Sequence, residues 1–145
     1  MKVSQLYGKK IEGADKKRCG YILGISCVGD KIEGYICCNE RESEFFAAWA
    51  DVRFAGDGAM VLKTGKENKK ASRLRLGQAV YSEDGKFLGH TEDFTAKGER
   101  LAFAHVGKKK FAFNRLILGD VIILKSDRAV AEIAAKDLFI GAICN

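Results

Sequence analysis

Proline is missing from the whole sequence, while glycine occurs 16 times. Chain reversals therefore fall to Gly with Asp or Asn rather than to proline-initiated turns. Long apolar runs are missing too. None reaches the ~20 residues that a transmembrane helix needs, so no helical membrane span is expected. The opening Met1-Lys2-Val3-Ser4-Gln5 has a charge but no apolar signal segment behind it, and a cytoplasmic location is the expectation. The five cysteines, Cys19, Cys27, Cys37, Cys38 and Cys144, contain no CxxC pair. Zinc ligands are usually paired two to four residues apart. Only Cys37 and Cys38 are close, and adjacent strand residues point to opposite faces. The two histidines, His90 and His105, are remote from them in sequence. Reduced thiols acting as small apolar side chains are expected, with no metal and no cofactor. The GxxxxGK[ST] pattern of a phosphate loop does not occur.

What the chain does contain is an internal repeat. Residues 6–24 run Leu6-Tyr7-Gly8-Lys9-Lys10-Ile11, a polar stretch, then Gly20-Tyr21-Ile22-Leu23-Gly24. Residues 76–89 run Leu76-Gly77-Gln78-Ala79-Val80-Tyr81, a polar stretch, then Gly85-Lys86-Phe87-Leu88-Gly89. One half closes on Gly56-Asp57-Gly58-Ala59-Met60-Val61-Leu62-Lys63, the other on Gly119-Asp120-Val121-Ile122-Ile123-Leu124-Lys125. A period of about 65 residues is too long for a solenoid and suits two small domains or two halves of one. Each half is near the size at which a core is marginal alone, so packing between halves, or oligomerisation, is expected.

Short apolar runs separated by glycine turns predict an all-β chain. Gly20 to Val28 reads as a strand, with Tyr21, Leu23, Ile25 and Cys27 on one face. Gly29-Asp30 reads as a hairpin turn, and Lys31 to Asn39 as the returning strand. Phe87 to Phe94 and Glu99 to Val106 repeat this hairpin, with Leu101, Phe103 and His105 on one face. Lys109 to Phe113 and Val121 to Leu124 complete the second half. Asp127 to Lys136 has the spacing of a short helix.

These residues resemble the PRC-barrel family. The resemblance rests on Gly77 to His90, which opens with a short strand, an Asp84-Gly85 turn, an apolar pair and a second glycine. It rests also on Phe113-Asn114-Arg115-Leu116 followed by Gly119-Asp120 and an aliphatic strand. The first half matches through Ser4 to Ile11, Gly20 to Gly24 and Trp49-Ala50-Asp51-Val52. Where many members place a proline before the aromatic of the third strand run, Ala48 and Ala112 stand here. The resemblance implies two tandem β-barrels, residues 1–63 and 73–125. They would be related to the cytoplasmic domain of the photosynthetic reaction-centre H subunit and to the C-terminal domain of the ribosome-maturation factor. A basic linker, 64–72, and a C-terminal tail, 126–145, complete the division. The family scaffold carries no reactive group, so it transfers no catalytic site.

Acid–base chemistry could draw on Glu83, Asp84, Glu92 and Asp93, with His90 as a proton shuttle, but no nucleophile or metal set accompanies them. His105, alternating with Leu101 and Phe103, reads as lining a core or its rim. The cations are more suggestive. Lys63, Lys66, Lys69, Lys70, Arg73 and Arg75 fall in one stretch with Glu67 the only acid among them, and Lys108-Lys109-Lys110 forms a second run. Residues 1–63 carry 10 Lys and Arg against 9 Asp and Glu, whereas residues 64–145 carry 15 against 10. Such a stripe attracts phosphates of RNA or anionic lipid headgroups. The plainer reading is a soluble linker and a turn kept polar. Phe87, Phe94, Phe103, Phe111 and Phe113 alternate as core residues do, which leaves few rings for base stacking. The expected function is a non-catalytic adaptor that binds a protein or ribonucleoprotein. The alternative is an RNA- or ribosome-associated factor using Lys66, Lys69, Lys70, Arg73, Arg75, Lys108, Lys109 and Lys110. A small thiol-based metal or redox protein is the third reading. Self-association is left open.

Overall fold

The computed structural model describes residues 1–13 and 19–126. Cys144 and the expected helix at 127–136 lie outside them. The described chain is all-β, with three single-turn 3-10 segments at Val3–Gln5, Trp49–Asp51 and Phe113–Arg115. The first half holds β1 (Lys10–Gly13), β2 (Cys19–Val28), β3 (Lys31–Asn39), β4 (Glu44–Ala48), β5 (Val52–Ala55) and β6 (Gly58–Val61). Then come β7 (Ser72–Leu74), β8 (Ala79–Ser82), β9 (Phe87–Lys97), β10 (Arg100–Val106), β11 (Lys109–Ala112), β12 (Leu116–Ile117) and β13 (Ile122–Leu124).

Hydrogen bonding runs β5-β6-β1-β2-β3-β4 in the first half and β12-β13-β8-β9-β10-β11 in the second. In both, one pair is parallel, β1 with β6 and β8 with β13. The ladder stays open between its first and last strand in each half, so the strands do not trace the two closed barrels expected from the sequence. The same irregularities recur. Leu23 is an extra residue on β2 and Glu33 on β3; Glu92 is an extra residue on β9 and Ala102 on β10. Bulges of this kind bend a strand and shift its side-chain phase. Consequently Ile22, Ile25 and Cys27 are buried while Tyr21 and Leu23 are about half exposed. Leu101 likewise joins Ala104 and Val106 inside, rather than sharing a face with Phe103 and His105.

The halves are interlocked. Ile32 N–H donates to Glu99 O and Leu101 N–H to Asp30 O, each at 2.7 Å. These are matching positions, so the contact is self-complementary, as across a two-fold axis. The segments ahead of each half also cross over. β7 pairs with β2, placing Arg73 opposite Ser26, and Lys2 bridges to Thr95 on β9. One hydrophobic cluster then serves both halves, from Val3, Ile11 and Ile25 to Phe94, Phe113 and Ile122. This meets the expectation that units so small pack together.

Candidate functional site

The segment read as a linker follows the surface of the first half. Gly65 N–H donates to Phe46 O at 2.9 Å, bridging the outer edge of β4. Asn68 then turns the chain, accepting Lys70 N–H on its side chain at 2.9 Å and Ala71 N–H on its carbonyl at 3.0 Å. Ser72, the last residue of that segment, already belongs to β7.

β7 delivers its cations to a cleft of about 380 Å³ between this segment and the turn at Leu118–Asp120. Lys69, Arg73 and Arg75 line it, with Glu67 and Asp120 as the acids. Arg73 is held from two sides, by Glu67 at 2.9 Å and Glu44 at 3.1 Å. The stretch therefore meets a second acid, supplied by β4, that its own sequence does not contain. Hydrogen bonding to Arg73, with help from Ser26, holds the Glu67 carboxyl below its usual value. The far wall is fixed by Gln78, whose Nε2 donates to Gly119 O at 2.7 Å. Buried Thr91 positions the entry to β8: its hydroxyl donates to Arg75 O at 2.9 Å and accepts from Gln78 N–H at 3.0 Å.

The expected cationic residues do not form one surface. Lys69, Arg73 and Arg75 share the cleft, while Lys66 and Lys70 are exposed beside it on the same segment. Lys108, Lys109 and Lys110 lie on the β10–β11 hairpin and do not line the cleft. There Lys110 Nζ sits 4.1 Å from the centre of the Phe103 ring. Phenylalanines are also less uniformly internal than their alternation suggests. Phe94 and Phe113 are core, Phe103 and Phe111 are half-buried, and Phe87 is 50% exposed against His90.

The candidate acid–base groups are tied up or solvated. Asp93 accepts Ser4 N–H and Phe94 N–H on one oxygen and the Ser4 hydroxyl on the other. It thus makes no hydrogen bond to His105, whose Nε2 lies 2.6 Å from Thr95 Oγ1. Asp93 stands opposite His105 across the β9–β10 ladder and its charge reaches the ring. Its oxygens are committed to Ser4 and Phe94, so the threonine–histidine pair lacks the orienting hydrogen bond of a nucleophilic relay. Asp84 is held by Ser82 within an exposed turn, and Glu92 is exposed on its bulge. Burial pushes the Cys27 and Cys37 thiols up to about 12, with the charge of Asp30 adding to the shift at Cys27. Such thiols are packed, not reactive. Among the described residues no three metal-ligating side chains cluster. No helix among them is long and apolar enough to cross a membrane. Sequence reasoning missed Ser26, Thr95 and Thr91, since hydroxyls inside strand patterns carry no local signal for the partners they meet across the fold. In comparisons with known proteins, no family model and no curated protein matches the chain.

Proposed function

We propose that the chain is a non-catalytic adaptor of the cytoplasm. It would be built from two PRC-like units, residues 1–63 and 73–125, and would bind a protein or ribonucleoprotein partner. Support for the two units comes from matched ladders with bulges at equivalent positions. Support for binding rather than catalysis comes from the cleft at the junction of the halves. It offers cations and backbone edges around an open space, with its one two-acid ion-pair network committed to holding Arg73. A site of that kind recognises charge and shape and has no group placed to attack a bond.

One observation keeps RNA as a second reading. Lys66, Lys69, Lys70 and Arg75 are exposed and form no ion pair among the described residues. Together they could neutralise phosphates, in which case affinity falls steeply with salt. The test is affinity capture from a native lysate with and without nuclease. It is paired with a variant carrying Lys66, Lys69, Lys70 and Arg75 as Glu, which spares the Arg73 ion pairs. A protein partner retained after nuclease treatment supports the adaptor. Capture that is lost both to nuclease and to charge reversal makes the chain an RNA-associated factor.

A further inference from the structure

The two halves match strand for strand up to the point where the chain leaves them. Leu62 N–H donates to Asp51 O and Lys125 N–H to Arg115 O, at 2.7 and 2.8 Å. On the first half, the outer face of β2, β3 and β4 is covered by the chain itself. Gly65 adds an extended residue to the edge of β4 at Phe46. Two residues on, Glu67 drops its carboxylate onto Ser26, whose hydroxyl donates to it at 2.6 Å. Ser26 is fully buried, and Ile36 beside it is 4% exposed although it lies outside the main core cluster.

The matching positions on the second half follow from the register. Ile36 opposite Phe46 corresponds to His105 opposite Lys110, and Ser26 opposite Gly34 corresponds to Thr95 opposite Phe103. Here the hydroxyl of Thr95, the ring of His105 and the ring of Phe103 are half-buried, and Lys108, Lys109 and Lys110 are exposed along the edge. Among the described residues, β11 pairs with β10 alone. The site thus has an equivalent backbone edge and a hydroxyl at the matching position, here shared with His105 Nε2 at 2.6 Å. It adds three lysines along the edge, while the acid on this face, Asp93 opposite His105, is clasped by Ser4 and by Phe94 N–H.

We propose that the outer edge of β11 docks an extended acidic peptide, which adds a strand at Lys110 and sets a carboxylate against Thr95 and His105 as Glu67 is set against Ser26. This deepens the adaptor reading and rests on it. Strand addition supplies affinity through main-chain hydrogen bonds, and alternate side chains supply selectivity. The three lysines favour an acidic occupant and oppose a basic one. An exposed edge is otherwise an aggregation hazard that lysines blunt. That account explains the lysines but not the half-buried hydroxyl–imidazole pair beneath them.

The probe is a fluorescein-labelled peptide of about six residues, the usual strand length, alternating Val and Glu. Its controls are the Val/Lys peptide and the Val/Glu peptide with alternate amides N-methylated. Anisotropy titration of the full chain should show binding of the Glu peptide only. K109E/K110E should weaken it at least tenfold and Thr95→Val severalfold, while Lys86→Glu, exposed between β8 and β9, should leave it unchanged. Equal binding of the Val/Lys peptide, indifference to K109E/K110E, or no binding would overturn the proposal. So would a short RNA binding this edge in place of the peptide, or self-association through it. If a protein partner is still captured from lysate by K109E/K110E, the docking edge fails and the adaptor reading survives. If wild type captures none, the adaptor reading fails first.

Discussion

On the first half, Phe46 lies over Gly34 so closely that a Cβ added there would sit 2.6 Å from its ring and 2.3 Å from Ala47 O. On the second, the same two positions hold Lys110 and Phe103, with the ammonium over the ring. One ladder therefore carries two different outer faces. The first is closed by backbone contact, a buried hydroxyl and the chain segment that bridges to Phe46 at Gly65. The second is finished with charge and a half-open hydroxyl–imidazole pair. A shared frame does not impose a shared surface: the glycine at 34 leaves room for the Phe46 ring to lie over β3, whereas at the matching place the Phe103 ring itself fills the face and carries the Lys110 ammonium. The first face is packed shut, and the second keeps a half-buried hydroxyl–imidazole pair at its surface.

The largest expected effect tests that division directly. Gly34→Ala must displace the neighbouring strand as well as the Phe46 ring, which should cost about 3 kcal/mol, at the upper end of overpacking. Phe103→Ala removes a half-buried ring and its ammonium contact, and should cost about 1 kcal/mol. Urea unfolding of both variants measures the asymmetry. If Gly34→Ala proves no more costly than Phe103→Ala, the closed face is not a stabilising element and the comparison collapses.

A second test uses acid. Glu67 is held below its ordinary 4.5 by hydrogen bonding to Arg73 and Ser26. At Asp93, burial acts upward, but the hydrogen bonds from Ser4 and Phe94 outweigh it and hold the carboxyl below 3.8. A carboxyl with a depressed folded value stabilises the fold fully above its unfolded value, and that stabilisation is lost as pH falls through the folded value. Both halves therefore carry a partly buried acid-sensitive clasp, Glu67 against the first and Asp93 on the second. Asp84, also lowered by its Ser82 hydrogen bond, lies in a fully exposed turn. Glu67→Gln and Asp93→Asn should each flatten the loss of stability below about pH 4.5. Ser26→Ala should cost about 1 kcal/mol at neutral pH, a typical hydrogen-bond contribution. An unchanged acid midpoint in Glu67→Gln would place the clasp elsewhere.

The all-β class, the hairpin turns and the repeat were legible because Gly and Asp punctuate short apolar runs at matching places. Which side of each strand faces inward was not. The extra residues Leu23, Glu33, Glu92 and Ala102 change the phase of alternation mid-strand, and nothing in a leucine or an alanine announces a bulge. β7 was hidden because Ser72-Arg73-Leu74 offers a single apolar residue, though Leu74 is 3% exposed. Its pairing with β2, like the bridge from Lys2 to Thr95, is a long-range contact with no local pattern. For the site, the clustering of Lys69, Arg73 and Arg75 followed from their nearness in sequence. The separation of Lys108–Lys110 from the cleft, and the arrival of Glu44 at Arg73, depend on strand order. Chain composition carries no trace of that order.

The smallest effect concerns the missing prolines. Ala48 has φ −65° and ψ 152°, and Ala112 has φ −59° and ψ 133°. Both φ values lie in the range that a proline ring imposes. The preceding residues, Ala47 and Phe111, are extended in β4 and β11, as a residue before proline must be. Along an antiparallel strand, successive residues turn their N–H groups to opposite sides. Phe46 directs its carbonyl outward to Gly65, so Ala48, two residues on, also faces away from β3. Ala112 occupies the matching register on β11 and faces away from β10. Proline at either position should therefore sacrifice no ladder hydrogen bond. It should stabilise by about 0.4–1 kcal/mol through a less flexible unfolded chain, or a Tm rise of roughly 1–4 °C for a chain of this size. The halves should differ in one respect. Ala112→Pro removes an outward N–H from the edge proposed to dock a peptide, so it should raise Tm and weaken the Val/Glu peptide together. Ala48→Pro, on the covered side, should raise Tm and leave peptide affinity alone. A fall in Tm for both would show that these N–H groups are engaged, and that the register relating β4 to β11 needs revision.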